Sequence, residues 1–289
     1  MAGREDEIPS SVPIEKILQT ALEAAAAGAS ELIRGYRRGD LLVRHKGRID
    51  LVTQYDLNSE KAASEVIGRE FPGHAVLAEE DGREVSEAAG PLWYIDPLDG
   101  TTNFVHGHPF YAVSAALAIP DSRGRMIVQA GVVHAPSLRE IYYAARGRGA
   151  WVRSLDSGPA EPDRKLSVSP CGELIDSLVN TGFPYNTKQR VSEVMEPFQR
   201  MITRVQAVRR AGAASLDLAY VASGRAEGYW EAGLKPWDVA AGLLLVTEAG
   251  GQITDGRGGE YVLEHSDVIL ASNGILHSSL AEILTESSA

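Results

Sequence analysis

Two aspartates three positions apart are the residues of this sequence whose type and spacing first suit catalysis. They lie in the run Trp93 to Asn103, which reads WYIDPLDGTTN. We expect an apolar strand to deliver Asp96 at its end and Pro97 to stop the hydrogen-bonded ladder, so that Asp99 faces the same point in space. Two carboxylates placed in this way suit a hard divalent cation.

The residues after Asp99 suit a phosphate group. Gly100 allows the backbone to approach a ligand closely, and Thr101 and Thr102 are expected to open a short helix whose free N–H groups point at phosphate. A metal site and a phosphate site would then be adjacent. Taken alone, an Asp-Pro-x-Asp-Gly run is more often a surface turn.

Three further acidic features favour chemistry, although each also has a structural explanation. Glu79 and Glu80 follow an apolar run, where acidic loops are commonly only solvated. Asp238 opens a predicted helix, where the helix dipole favours an aspartate. Asp56 follows the run 51–55 and equally suits the N-cap of the next helix.

The composition is that of a soluble protein. The 289 residues are 44% hydrophobic and 23% charged, and no apolar run approaches the roughly 20 residues that a membrane-spanning helix requires. The formal net charge of −11 opposes a broad nucleic-acid surface. Cys171 is the only cysteine, and the polar, acidic start at 1–11 lacks a secretory signal, so we expect a reducing, cytoplasmic location.

Hydrophobic periodicity and turn residues predict a mixed α/β (α+β) protein. The predicted helices span 13–36, 57–71, 189–205, 213–223, 236–249 and 275–287. The predicted strands span 49–53, 74–78, 92–95, 111–119, 126–134, 140–145, 177–181, 226–230, 252–254 and 268–272. We expect the early strands to form one mixed sheet and the second half to be a layered α/β unit. The polar run 153–161 predicts a boundary between an N-terminal α+β subdomain, 1–153, and a C-terminal α/β subdomain, 154–289.

Several segments together resemble the inositol monophosphatase family of the larger Li⁺-sensitive, Mg²⁺-dependent phosphatase superfamily. Residues 47–56, 78–81, 93–103 and 237–242 occur in the order and at the separations typical of that family. Residues 209–220 and 231–238 resemble its bacterial branch. The resemblance covers most of the chain and implies an αβαβα layered sandwich of the sugar-phosphatase type, with the active site where the two subdomains meet.

The resemblance also implies roles for single residues. It implies that Mg²⁺ is held by Glu79, Asp96, Asp99, Asp238 and the backbone carbonyl of Leu98. The implied catalytic residues are Asp56, Thr101, Glu79 and Lys46. The implied substrate-binding residues are Gly100, Thr101, Thr102, Gly212, Ala213, Ala214, Glu231 and Asp238.

Thr101, hydrogen-bonded to Asp56, is implied to assist the activation of water. Lys46 is implied to reach towards the metal and phosphate, with a solvated surface lysine as the alternative. Glu231 is implied to bind substrate hydroxyls, with a solvated cap at a strand end as the alternative, and Arg209 is expected to help order this pocket.

The resemblance implies Mg²⁺-dependent, lithium-sensitive hydrolysis of a small phosphorylated polyol or sugar by a homodimer, with myo-inositol monophosphate as the first expectation. Fructose 1,6-bisphosphate, histidinol phosphate and a 3′-phosphoadenosine nucleotide are alternatives, because the relatives that use them share the metal motifs. A regulatory partner of RNA polymerase or of RNA processing is the alternative from another class of function.

Overall fold

The computed structural model describes residues 12–38, 42–45, 51–80, 90–156, 161–184 and 187–286. Lys46 and part of the predicted subdomain boundary lie outside these ranges. The helices are α1 (Ile14–Gly35), α2 (Gln54–Glu70), α3 (Thr101–Val105), α4 (Val191–Ile202), α5 (Ala214–Ala222), α6 (Pro236–Glu248) and α7 (His277–Thr285). None of them combines the length and apolar character that crossing a bilayer requires.

Fourteen strands occur in the same ranges. They are β1 (Val43–His45), β2 (Leu51–Thr53), β3 (Ala75–Ala78), β4 (Leu92–Asp99), β5 (Ala112–Pro120), β6 (Met126–Ala135), β7 (Glu140–Ala145), β8 (Ala150–Ser154), β9 (Arg164–Lys165), β10 (Leu178–Thr181), β11 (Ala207–Arg209), β12 (Gly228–Ala232), β13 (Gln252–Asp255) and β14 (Val268–Ser272).

The outermost layer is the helix pair α1 and α2. Helix α1 buries a stripe of small residues that includes Ala21, Ala25 and Gly28. A Cβ atom at Gly28 would lie 2.6 Å from Oγ of Ser59 on α2, so the glycine permits the close approach of the two helices. The pair covers one face of β4, β5 and β6.

The next layer is a seven-stranded sheet of order β3-β4-β5-β6-β7-β8-β9. Strand β3 pairs parallel with β4, and the remaining pairs are antiparallel, so the predicted mixed sheet is confirmed. All eight residues of β4 are buried, because helices cover both faces of the sheet.

Helices α5 and α6 form the middle layer. Helix α6 is buried almost all round, as expected of a helix between two sheets. On its far side lies a five-stranded sheet of order β11-β10-β12-β14-β13, and α4 and α7 pack together beyond that sheet. The layers therefore run α, β, α, β, α, and the predicted layered sandwich is confirmed.

Two predicted element boundaries that bear on site residues were wrong. Helix α2 begins three residues earlier than predicted because Thr53 is its N-cap, with its side chain accepting a hydrogen bond from Tyr55 N. Asp56 therefore lies in the first turn, and its interpretation as the N-cap fails. Strand β12 is shifted two residues towards the C-terminus, which places Glu231 inside the strand.

Candidate active site

A cavity of about 340 Å³ lies where the two sheets and the middle helices meet. It brings together all of the predicted metal and substrate residues: Glu79, Asp96, Leu98, Asp99, Gly100, Thr101, Thr102, Gly212, Ala213, Ala214, Glu231 and Asp238. A neighbouring cavity of about 900 Å³ shares 182–184 and Ala232 with it but contains none of the predicted site residues.

Strand β4 delivers both aspartates, although not in the predicted way. The strand continues to Asp99, and its pairing with β5 shifts register between Asp96 and Asp99. Pro97 therefore lies in an irregularity of the strand and does not end it. Such an irregularity redirects the side chains that follow, which lets both carboxylates line one cavity.

Backbone donors hold each aspartate. Oδ1 of Asp96 accepts a hydrogen bond from Leu98 N at 3.0 Å. Asp99 accepts from Ala214 N at 3.1 Å and from the backbone and hydroxyl of Ser215 at 2.7 and 2.5 Å, which ties β4 to the start of α5. Oδ2 of Asp238 accepts from Lys235 N at 2.7 Å.

Asp56 does not line the cavity and is fully buried behind Thr101. Its Oδ2 accepts hydrogen bonds from the backbone and hydroxyl of Thr53 at 2.9 and 2.6 Å. Its Oδ1 lies 3.1 Å from the Thr101 hydroxyl, which also lies 3.0 Å from the Leu98 carbonyl oxygen. Thr101 thus connects a buried carboxylate to the cavity.

Burial and mutual repulsion raise the pKa of the acidic side chains. Burial, with the charge of Glu79 as a further cause, raises the pKa of Asp56 and of Asp99 to about 6. Burial raises the pKa of Asp96 well above its usual range, and the charges of Glu79 and Asp99 add to the effect. The pKa of Asp238 is also raised well above its usual range, chiefly by burial. A cation in the cavity would relieve this repulsion.

The predicted metal-binding residues that line the cavity fit magnesium by their chemistry. All the predicted donors are carboxylate or carbonyl oxygens, which Mg²⁺ prefers. Among the described residues, no three Asp, Glu, His or Cys side chains already converge on one point as a ready-made metal centre. Asp96, Asp99 and Asp238 each accept a hydrogen bond from a backbone N–H.

Glu231 also lines the cavity. Its Oε2 accepts a hydrogen bond from the Tyr229 hydroxyl at 2.5 Å. Burial raises its pKa to about 7, an effect that the Tyr229 hydrogen bond partly offsets and the charge of Asp99 reinforces. Glu231 is therefore a half-buried acid in a strand and not a solvated cap at a strand end.

Several residues near the site were not predicted. Arg210, not Arg209, lines the cavity, and the exposed Arg209 bonds its neighbouring carbonyl. Nδ2 of Asn103 lies 2.7 Å from Phe110 O and 2.9 Å from Ala211 O, and so ties α3 to the loop before α5. Asn103 belongs to the motif used for the prediction, so its position there was the available signal.

Asn180 and Asp217 form a buried polar pair near the cavity. Nδ2 of Asn180 donates a hydrogen bond to Oδ1 of Asp217 at 2.9 Å, whereas Oδ2 of Asp217 has no hydrogen-bond partner in the described part of the chain. Burial raises the pKa of Asp217 well above its usual range, and the charges of Glu231 and Asp99 raise it further. Nothing in the local sequence indicated this pair.

A layered α/β sandwich with an acidic, oxygen-lined cavity between its halves is the architecture of a metal-dependent phosphatase. The model of the inositol monophosphatase family matches residues 14–289, and the chain belongs to that family. This membership makes the protein a phosphatase by descent and thus a hydrolase by class.

Individual relatives agree with this assignment. The chain is 37% identical over 265 residues to an inositol-1-monophosphatase of Mesorhizobium japonicum, covering 91% of this chain and 94% of that one. It is 39% identical over 264 residues to a putative Nus factor SuhB of Neisseria meningitidis serogroup B, covering 91% and 96%. The crystal structure of the extragenic suppressor protein suhB from Bartonella henselae superposes with a TM-score of 0.83 at 36% identity, covering 94% and 99%.

Proposed function

We propose that the protein hydrolyses the phosphate monoester of a small polyol or sugar, with myo-inositol monophosphate as the substrate and Mg²⁺ as the cofactor. One observation carries the proposal: a single cavity is lined by Asp96, Asp99 and Asp238 and also by the hydroxyl-binding candidate Glu231. Phosphate fits beside the three aspartates only together with a cation, and the Glu231 carboxylate suits a polyol.

Glu79, Asp96, Asp99, Asp238 and the Leu98 carbonyl would hold the metal. When bound, Mg²⁺ supplies the positive charge that stabilises the phosphoryl oxygens. The backbone N–H groups at 100–102 would orient the phosphate, because the first N–H groups of a helix lack intrahelical acceptors. Lys46 lies outside the described residues, and its role near the phosphate stays a prediction.

Thr101 and Asp56 would move the proton. At neutral pH Asp56 is mostly ionised despite its raised pKa of about 6, so it accepts the hydrogen bond of the Thr101 hydroxyl. The lone pairs of that hydroxyl then face the cavity and can accept a proton from the attacking water. The buried carboxylate stabilises the positive charge that would develop on this path.

Glu231 would select the substrate, since its carboxylate can accept hydrogen bonds from polyol hydroxyls. The names of the curated relatives leave the substrate open, and fructose 1,6-bisphosphate, histidinol phosphate and a 3′-phosphoadenosine nucleotide stay alternatives. Phosphate release from these four substrates and from an aryl phosphate, with and without Mg²⁺, tests the proposal. A protein with no Mg²⁺-dependent release from any of them would contradict it.

A second candidate function is a regulatory contact with RNA polymerase or with RNA processing. A relative from Pseudomonas aeruginosa is named Nus factor SuhB, and one from Neisseria meningitidis is named putative Nus factor SuhB, which favours this candidate. A catalytically inactive Asp96→Asn protein that still binds purified RNA polymerase would support it. Binding that is absent from both wild type and variant would remove it.

The remaining expectations concern assembly and inhibition. We propose a homodimer in the cytoplasm whose phosphatase activity is inhibited by Li⁺. Sedimentation at several protein concentrations tests the dimer, fractionation of the source cells tests the location, and a Li⁺ titration at fixed Mg²⁺ tests the inhibition. A monomer at all concentrations, or activity indifferent to Li⁺, would contradict the corresponding point.

A further inference from the structure

Gly182 follows strand β10 directly and lies beside Glu231 of strand β12. The two strands are parallel, and their last pair is Thr181 with Trp230, so the next residues along each strand are Gly182 and Glu231. The Thr181 hydroxyl bonds the Trp230 carbonyl oxygen at 2.9 Å, which fixes the strands at this point. Gly182 and Glu231 both line the cavity of the candidate site.

The carboxylate of Glu231 occupies the space that a side chain at position 182 would need. A Cβ atom built on Gly182 would lie 1.9 Å from Oε2, 2.0 Å from Cδ and 2.1 Å from Oε1 of Glu231. Non-bonded heavy atoms reach their optimal separation only at about 3.5–4.0 Å. Any residue other than glycine would therefore displace this carboxylate.

Backbone conformation does not explain the glycine. Gly100 and Gly212 of the same cavity have φ values of 90° and 88°, a region that other residues rarely adopt. The φ of Gly182 lies outside that region, so an alanine fits its backbone without strain. The three atoms nearest to such a Cβ all belong to the end of one flexible side chain, which can move without unfolding the protein.

We infer that Gly182 is a positioning residue for substrate selection, because the Glu231 carboxylate occupies the space that a side chain at position 182 would fill. The inference rests on the proposed role of Glu231 in binding substrate hydroxyls. Gly182→Ala should push the carboxylate by roughly 1 Å or more, and a misplacement of about 1 Å can cost up to about 100-fold in rate. The backbone N–H groups at 100–102, which are proposed to orient the phosphate, would stay in place.

The test compares kcat/KM for inositol monophosphate and for p-nitrophenyl phosphate, which presents no polyol hydroxyls. We expect Gly182→Ala to lower the ratio of the two values by about 10- to 100-fold, with the aryl phosphate changed by less than about 3-fold. The matched control is Gly68→Ala in α2, where a Cβ atom would meet nothing within 4 Å. The control should leave the ratio unchanged.

Glu231→Gln and the double variant separate the inference from the proposed function. Equal loss on both substrates in Glu231→Gln would remove the proposed role of Glu231. A selective loss in Glu231→Gln with an unchanged ratio in Gly182→Ala would overturn only the inference. Gly182→Ala should also add little loss in the Glu231→Gln background, because both act through one carboxylate, and full additivity would overturn the inference.

The packing can be tested without activity. In a Glu231→Ala background the space beside Gly182 is no longer filled by a carboxylate, so Gly182→Ala should lower the melting temperature less than it does in the wild type. If Gly182→Ala alone did not fold, its folding in the Glu231→Ala background would still support the inferred packing of the carboxylate against Gly182. An equal fall in melting temperature in both backgrounds, or failure to fold in both, would overturn the inference.

Discussion

The hydroxyl oxygen of Thr101 lies 3.1 Å from Oδ1 of Asp56, a fully buried carboxylate that has no surface in the cavity. The hydroxyl has one proton and two acceptors in range, because the Leu98 carbonyl oxygen lies 3.0 Å away. The charge of Asp56 favours donation towards itself. In the proposed reaction, Thr101 would receive a proton from the attacking water while giving its own to Asp56.

Removing either partner should slow turnover more than it weakens binding. We expect Thr101→Ala and Asp56→Asn each to lower kcat by about 10²–10⁴-fold, with a much smaller change in KM, since general-base assistance acts in the transition state. Steady-state kinetics with inositol monophosphate measures both parameters. Thr101→Ser keeps the hydroxyl and should keep most of the activity. A loss seen only in KM would contradict the assigned roles.

Magnesium should stabilise the fold as well as support activity. Mg²⁺ would bind the folded carboxylates and not the unfolded chain, so saturation at about 100 times Kd adds about 2.7 kcal/mol. Asp96→Asn should reduce both the activation and the rise in melting temperature. The exposed Asp176 gives the control Asp176→Asn, which should behave as wild type. Wild-type Mg²⁺ responses in Asp96→Asn would show that the ligand set is wrong.

Three of the helices could be predicted closely from sequence, and several short strands could not. Helices α1, α5 and α6 begin and end within a residue of their predicted bounds. Helix α1 has several turns of periodic apolar residues, whereas α5 and α6 are mostly apolar runs that Gly224, Pro236 and Gly250 delimit. Strands β1, β8, β9 and β11 were missed. Three of them have two or three residues, too few for a period, and β8 runs into the polar segment interpreted as a boundary.

The residues of the candidate site also fall into those that could be predicted from sequence and those that could not. The residues at 96–102 could be found because their roles follow from neighbours in one local motif. Ser215 bonds Asp99 across 116 positions, and Gly182 matters only through Glu231 on the next strand. Such contacts arise from the sheet topology, and no local pattern indicates them.

Asp217→Asn should stabilise the protein at neutral pH. In the folded protein the pKa of the wild-type carboxyl lies well above its usual range. The unfolded chain, in which this pKa is about 3.9, therefore loses its proton first as pH rises, and the free energy of unfolding falls. Asparagine does not titrate and can still accept the bond from Asn180. We expect a gain of about 1–3 kcal/mol in the free energy of unfolding at pH 7.5 and little at pH 4. Urea unfolding at both pH values measures it, and a loss at pH 7.5 would contradict the argument.

The preference for polyol substrates should depend on the ionisation of Glu231, whose pKa is raised to about 7, chiefly by burial. Only the carboxylate accepts hydrogen bonds with both oxygens. The ratio of kcat/KM for inositol monophosphate to that for p-nitrophenyl phosphate should therefore rise as pH increases from 6 to 8, and effects common to both substrates cancel in this ratio. Glu231→Gln should lower the ratio by about one to two orders of magnitude at pH 8, since charge-assisted hydrogen bonds contribute about 1.5–3 kcal/mol. The variant should also flatten the pH dependence, and a ratio that still rose with pH in Glu231→Gln would assign the titration to another group.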